Sequence, residues 1–128
     1  MSVKKPHILY VDDEKMNLLV FEISFRKNFK ISTAISGEKA LEIFNTEEID
    51  IIITDQRMPG MTGTELLRKI QEINTKIPPG RLILSGCSFS EIEDQVEEEM
   101  NLYKFISKPF NVESLRNDLL MSMNSENY

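Results

Sequence analysis

Ile51-Ile52-Ile53-Thr54-Asp55-Gln56-Arg57-Met58-Pro59-Gly60 is the stretch on which the fold turns. Its β-branched run, Asp50 to Thr54 in all, has no polar alternation, the pattern of a strand buried on both faces. The run ends on an acid, and Pro59 and Gly60 mark a turn just beyond it.

Similar short apolar runs occur on either side, at His7 to Val11, Lys30 to Ile35, Arg81 to Ser85 and Lys104 to Ser107. Between them the spacing becomes helical. Leu18, Phe21 and Phe25 form one stripe, Ala40, Leu41 and Phe44 a second, and Leu66, Leu67, Ile70 and Ile73 a third. Leu115, Leu119 and the adjacent Leu120 form the last. Ser90 to Met100 predicts a sparser helix carried by Ile92, Val96 and Met100, with Asn101 as its left-handed cap. Five strand–helix alternations predict an α/β fold with a parallel sheet covered on both sides. In such sheets ligands bind beyond the carboxyl ends of the strands, so the chemistry belongs there.

Composition narrows the classes. The 128 residues include 41% apolar and 28% charged positions, which suits one globular domain and argues against disorder. The densest apolar run, Ile49 to Ile53, contains Asp50 and is far too short to span a bilayer. The first seven residues do not lead into an apolar export signal. One Cys closes no internal disulfide, and a reducing, cytoplasmic setting is expected. With one His and one Cys, Cys/His zinc sites are excluded, and the net charge of −6 disfavours direct nucleic-acid binding. The single imidazole, His7, reads as a polar residue entering a strand.

At the predicted strand ends stand Asp12, Asp13 and Glu14, then Asp55, then Ser85 and Gly86, then Lys108 and Pro109. Singly these are ordinary residues: helix caps, turn formers and a solvated lysine. Together they bring carboxylates, a hydroxyl and an ammonium to one sheet edge. Like charges ~5 Å apart repel by about 3 kcal/mol at an effective dielectric of 20, so clustered carboxylates need a counter-charge. A hard divalent cation such as Mg²⁺ supplies one and leaves room for phosphoryl oxygens.

The segments Ile8 to Glu14, Ile51 to Gly63, Leu82 to Gly86 and Lys104 to Phe110, in this order and spacing, resemble the receiver domain of two-component response regulators. The likeness runs from residue 7 to about 121 of a single domain, 1–128, with 123–128 a polar tail. It implies a flavodoxin-like (βα)5 fold, a doubly wound parallel five-stranded sheet of order 2-1-3-4-5.

Carried over by position, the resemblance makes Asp55 the phosphoacceptor for a sensor histidine kinase or a His phosphotransfer protein. It implies Mg²⁺ (or Mn²⁺) held by Asp13, Asp55 and the backbone carbonyl of Arg57, with Asp12 acting through water. Lys108 and Ser85 would contact the phosphoryl oxygens, and the Lys108–Pro109 bond would be cis. Gly60 and Gly63 would shape the loop that places the Arg57 carbonyl. Gly86 would leave space beside the phosphoryl group, while Arg57 and Cys87 would flank it at positions that tune its hydrolysis. Phe105 would be the switch aromatic that moves with Ser85, and Tyr103 is expected to share its face. The output face would be the fourth helix, fifth strand and fifth helix, contacting a downstream protein or a second copy of the chain. That face would carry Glu91, Glu93, Asp94, Glu97, Glu98 and Glu99, which equal the whole net charge. The domain would not be an enzyme beyond assisting its own phosphorylation and dephosphorylation.

Three alternatives stand beside this reading. A Mg²⁺-dependent phosphatase of the haloacid dehalogenase type wants Asp-x-Asp after its first strand, where this chain has adjacent Asp12 and Asp13. A flavin binder needs a neutral phosphate cradle there, not three acids. A receiver that is never phosphorylated, serving only as an interaction module, would not need the full set of Asp13, Asp55, Ser85 and Lys108.

Overall fold

A computed structural model describes residues 4–73, 80–96 and 102–123. The chain alternates β1 (His7–Val11), α1 (Lys15–Phe25), β2 (Lys30–Ala34), α2 (Gly37–Thr46), β3 (Ile51–Thr54), α3 (Gly63–Ile73), β4 (Gly80–Ser85), β5 (Lys104–Ser107) and α4 (Val112–Ser122). The five strands pair in parallel in the order β2-β1-β3-β4-β5. All five strand runs are where the apolar pattern predicts them, within a residue at either end.

Period-two alternation feeds two cores. Leu9, Val11, Ile52 and Ile83 project to one face, where Ala40 and Phe44 of α2 and Leu66, Leu67 and Ile70 of α3 cover them. Ile8, Tyr10, Ile51, Ile53, Leu82 and Leu84 project to the other, under Phe21 and Phe25 of α1 and Leu115 and Leu119 of α4. Each such side chain contributes roughly 1.5–3 kcal/mol on burial, which is why the strands tolerate so little polar alternation. Ser36 caps α2 by accepting from the Lys39 N–H at 3.1 Å, and Asn111 caps α4 by accepting from Ser114 at 2.9 Å. His7 is buried, its ring nitrogens 2.8 Å from the Glu48 carbonyl and 2.7 Å from Ser32 Oγ, as a polar residue entering a strand.

The sparse fourth helix differs from expectation. Up to Gln95 the backbone forms two 3₁₀ turns, Phe89–Glu91 and Glu93–Gln95, separated at Ile92 by φ −124° and ψ −2°. Ile92 is buried as its spacing requires, but side chains from the loop after β3 hold the segment, and its acids carry no intervening base. Glu97, Glu98, Glu99, Met100 and Asn101 lie outside the described residues, as do residues 124–128 of the tail and the side chain of Ile73.

Two smaller corrections concern faces. Leu120 is exposed, because five residues of helix turn it away from the stripe that buries Leu115. Tyr103 packs against the α1/α4 core while Phe105 packs against the α2/α3 core. Tyr103 precedes the strand, where strict alternation does not yet hold.

Candidate functional site

Register brings the acids together. Val11 pairs with Thr54 across β1 and β3, so each strand's next residue is an aspartate. The Asp55 N–H donates to the Val11 carbonyl at 2.8 Å, which fixes Asp55 beside Asp12. Asp12, Asp13 and Asp55 offer ligand oxygens that all lie within 4.8 Å of one another. This is the edge of the sheet where the winding reverses between β1 and β3.

Lys108 closes the group from β5. Its backbone N–H donates to the Ser85 carbonyl at 2.9 Å, and the Lys108–Pro109 peptide is cis. Its ammonium donates to Asp12 Oδ2 at 2.8 Å and to Asp55 Oδ2 at 3.1 Å. Burial would lower the pKa of Lys108, but these two carboxylates outweigh it and hold the pKa above its ordinary value. Burial likewise pushes the Asp12 carboxyl upward, and hydrogen bonds from Lys108, the Glu14 N–H and Tyr10 reverse that, leaving its pKa below the usual range.

The acids have different freedom. Asp12 is fully buried and saturated: Oδ1 accepts from Glu14 N–H at 2.9 Å, and Oδ2 accepts from Tyr10 Oη at 2.7 Å, from Asn17 and from Lys108. The Tyr10 phenol is held far above its ordinary pKa by burial and by Asp12. Asp13 accepts no hydrogen bond among the described residues and lines the cleft with Asp55. Asp55 is 8% exposed, with Oδ1 bonded to the Gln56 N–H at 2.7 Å.

The cleft above them, about 550 Å³, is also lined by Glu14, Asn17, Arg57, Ser85, Gly86, Cys87, Glu91 and Lys108. Ser85 Oγ lies 3.4 Å from Cys87 Sγ, with no hydrogen bond to Asp55. A Cβ on Gly86 would meet nothing within 4 Å, so the cleft wall is open at this position. Gly60 holds φ +82°, which favours glycine, and a Cβ on Gly63 would stand 2.3 Å from the Asp55 carbonyl oxygen. Those two glycines let the loop fold back tightly under Asp55.

Several contributors were not singled out from sequence. Tyr10 reads as a core aromatic, yet it lies two residues before Asp12 along an extended strand, and that spacing is the available signal. Asn17 is one helical turn beyond the acids. Gln56 is buried, its Nε2 3.1 Å from Thr64 Oγ1 and 3.2 Å from Gln95 Oε1. Glu91, expected only on the output face, instead lines the cleft and pairs with Arg57. Partners so distant in sequence leave no local pattern.

Beside the site, α1 shows a second apolar stripe facing outward: Met16, Leu19, Val20 and Ile23 are all exposed. Val20 borders another cleft, about 530 Å³, lined by Tyr10, Asn17, Ser24, Lys108, Pro109, Phe110 and Val112. Among the described residues no helix is long and apolar enough to cross a membrane.

Comparison with known proteins agrees with the geometry. The family model for the response regulator receiver domain matches residues 8–120. The chain is 32% identical to the hydrogenase transcriptional regulatory protein HoxA of Cupriavidus necator over 86% of its own length and 22% of that protein's. It is 30% identical to sporulation initiation phosphotransferase F of Bacillus subtilis over 85% of its length and 86% of that protein's. Among solved structures, the chemotaxis response regulator CheY4 of Vibrio cholerae superposes with a TM-score of 0.81 at 26% identity, covering 93% of this chain and 99% of that one. The chain thus spans about a quarter or less of HoxA and of the transcriptional regulatory protein GlrR of Escherichia coli, at 22% and 26% of their lengths. The phosphatase alternative finds no support in any of these matches. With a parallel sheet of order 2-1-3-4-5, an acid cluster at its switch point and a family match over nearly its whole length, the chain belongs to the response regulator receiver domain family.

Proposed function

We propose that the chain is a single receiver domain, with a core over about 7–121, that accepts a phosphoryl group on Asp55. The observation that carries this is the Asp55 carboxylate itself, at the floor of an open cleft within 3.1 Å of an ammonium and beside two further acids.

The donor is the phosphohistidine of a sensor histidine kinase or His phosphotransfer protein. A carboxylate oxygen of Asp55 forms a bond to phosphorus, the phosphorus–nitrogen bond breaks, and the electron pair leaves with the imidazole. Such transfer depends chiefly on positioning and on neutralising charge. Lys108 then moves its donors from the carboxylates to a phosphoryl oxygen, and Ser85 turns its hydroxyl from Cys87 to another. Arg57 and Cys87 flank the group at the cleft wall, where they govern access of water, and Gly86 leaves room for it.

The donor set fits a hard cation: oxygen ligands only, one of them, Asp13, free of other bonds. Asp13, Asp55 and the Arg57 carbonyl would hold Mg²⁺ (or Mn²⁺), and Asp12, its oxygens already bonded, would act through water. When bound, the ion neutralises charge on the carboxylates and the incoming phosphoryl group.

Phe105 meets Phe89 edge-on with ring centroids 5.7 Å apart, which joins the switch aromatic to the output segment. That face, built from Phe89–Gln95, β5 and α4, contacts a downstream protein or a second copy. The exposed apolar stripe of α1, the helix whose Asn17 lines the cleft, offers the phosphodonor a contact surface. The chain acts as a signalling domain that assists its own phosphorylation and dephosphorylation and catalyses nothing else. A cytoplasmic setting is part of this reading.

The test is incubation with Mg²⁺ and acetyl phosphate followed by intact mass. The protein should gain one phosphoryl group and Asp55→Asn should gain none. An unmodified wild type under these conditions defeats the reading.

A further inference from the structure

Two consecutive side chains after Asp55 reach across to the segment that follows β4. Gln56 Nε2 donates to Gln95 Oε1 at 3.2 Å, and the Arg57 guanidinium pairs with Glu91 Oε1. Glu91 is doubly engaged. Its other oxygen accepts from the Ser88 N–H at 2.7 Å and from Ser88 Oγ at 3.1 Å, closing the capping box of the Phe89–Glu91 turn. Arg57 and Glu91 both line the cleft over Asp55.

We propose, on the reading that Asp55 is phosphorylated, that the phosphoryl group takes the Arg57 guanidinium from Glu91 and thereby frees the Phe89–Glu91 turn from the loop after β3. Three facts support the exchange. The Arg57–Glu91 pair is exposed, with side chains 69% and 46% accessible, so water already competes with it, and Arg57 has no second partner among the described residues to hold it there. A phosphoryl group brings about −1.5 to −2 charges and three acceptor oxygens, against one charge on Glu91, and suits the planar guanidinium fork. Once Arg57 turns inward, Glu91 faces a new anion across the same cleft, with Glu93 and Asp94 beside it and no base in the segment. Repulsion then acts in the direction of release.

The exchange supplies a route from Asp55 to the output segment separate from Ser85. Phe89 sits inside the turn that Glu91 caps and covers Phe105, so loosening the turn withdraws the ring that packs on the switch aromatic. The neutral Gln56–Gln95 bond is indifferent to the added charge and keeps the far end of the segment seated. In this arrangement Glu91 is a positioning residue that acts through Arg57.

Two backbone bonds report the state of the turn, Glu91 N–H to the Ser88 carbonyl and Ile92 N–H to the Phe89 carbonyl. Their hydrogen exchange is measured by mass spectrometry before and after Mg²⁺ and acetyl phosphate, with intact mass on the same samples. In wild type the mass rises by one phosphoryl group and exchange over Ser88–Ile92 speeds up several-fold. Glu91→Gln still gains the phosphoryl group, but its turn already exchanges fast and changes less than twofold. Arg57→Gln, read on its phosphorylated fraction, likewise shows no further rise, while Arg57→Lys retains part of the response. A wild type that is phosphorylated with no change over Ser88–Ile92, or an Arg57→Gln response equal to wild type, overturns the handover and leaves phosphoacceptance standing. A wild type that gains no mass overturns both.

Discussion

Lys108 donates to the Asp55 carboxylate across 3.1 Å, joining the end of β5 to the end of β3 and placing an ammonium directly on the proposed phosphoacceptor. The same ammonium serves Asp12 at 2.8 Å. Lys108→Met should therefore destabilise the metal-free protein. Removing one partner of a buried pair costs about 3–5 kcal/mol at most. Tyr10, Asn17 and the Glu14 N–H remain on Asp12, so a loss of about 1–3 kcal/mol is expected. Urea unfolding measures it, and an unchanged midpoint would contradict the bridging role.

Mg²⁺ should raise the melting temperature of the protein, because the carboxylates proposed to bind it are brought together only in the folded state. A hundredfold excess over Kd adds about 2.7 kcal/mol, on the order of 10 °C for a domain of this size. Asp13→Ala removes the unencumbered ligand and should abolish most of the rise. Scanning fluorimetry with and without Mg²⁺ decides it, and an equal rise in both proteins would remove Asp13 from the site.

Acid should unfold the protein partly through Asp12. Its pKa is lower in the folded state than the ordinary carboxylate value near 3.8, so its stabilisation is complete above that value and drains away as pH falls through the folded pKa. Lys108 has the opposite sense: its pKa is raised, so its contribution is full below 10.5 and is lost only as pH rises beyond the folded value. Between these limits the pair should give a flat profile. Thermal melts from pH 2 to pH 7 should show Asp12→Asn with a shallower acid decline than wild type, and parallel curves would argue against this assignment.

Gly63 and Gly86 should respond oppositely to the same change. A methyl group at position 63 meets the Asp55 carbonyl oxygen at 2.3 Å, a backbone atom that has no room to retreat. Gly63→Ala should destabilise by about 1–3 kcal/mol and lower acetyl-phosphate labelling of Asp55. Gly86→Ala meets open space and should stay within about 0.5 kcal/mol of wild type. Chemical unfolding of the two variants separates them.

Much of this was legible in the chain because it depends on short-range periodicity. Ile51 to Thr54 announce a strand by themselves, and a parallel sheet brings Asp12, Asp55, Ser85 and Lys108 to one edge whatever the detailed packing. What could not be read depends on contacts between distant segments. Ile92 and Val96 have helical spacing, yet the described backbone there is 3₁₀, since Glu91 and Gln95 are tied to residues 34 and 39 positions earlier. Phe105 and Tyr103 look equivalent by alternation and pack on opposite cores, because alternation holds only inside the paired strand. The outward apolar stripe of α1 was hidden by its inward one, a helix being able to present both.

His7 gives the molecule a built-in probe. It is the only imidazole in the 128 residues, and both of its nitrogens are bonded where β1 meets β2 and the segment leading into β3. The ring's carbon-bound protons therefore form an isolated pair of resonances in the NMR spectrum, free of overlap with any other histidine. Their shift reports whether the amino-terminal half of the sheet is assembled, at the opposite end of β1 from the cluster at Asp55, so it follows folding separately from the chemistry there.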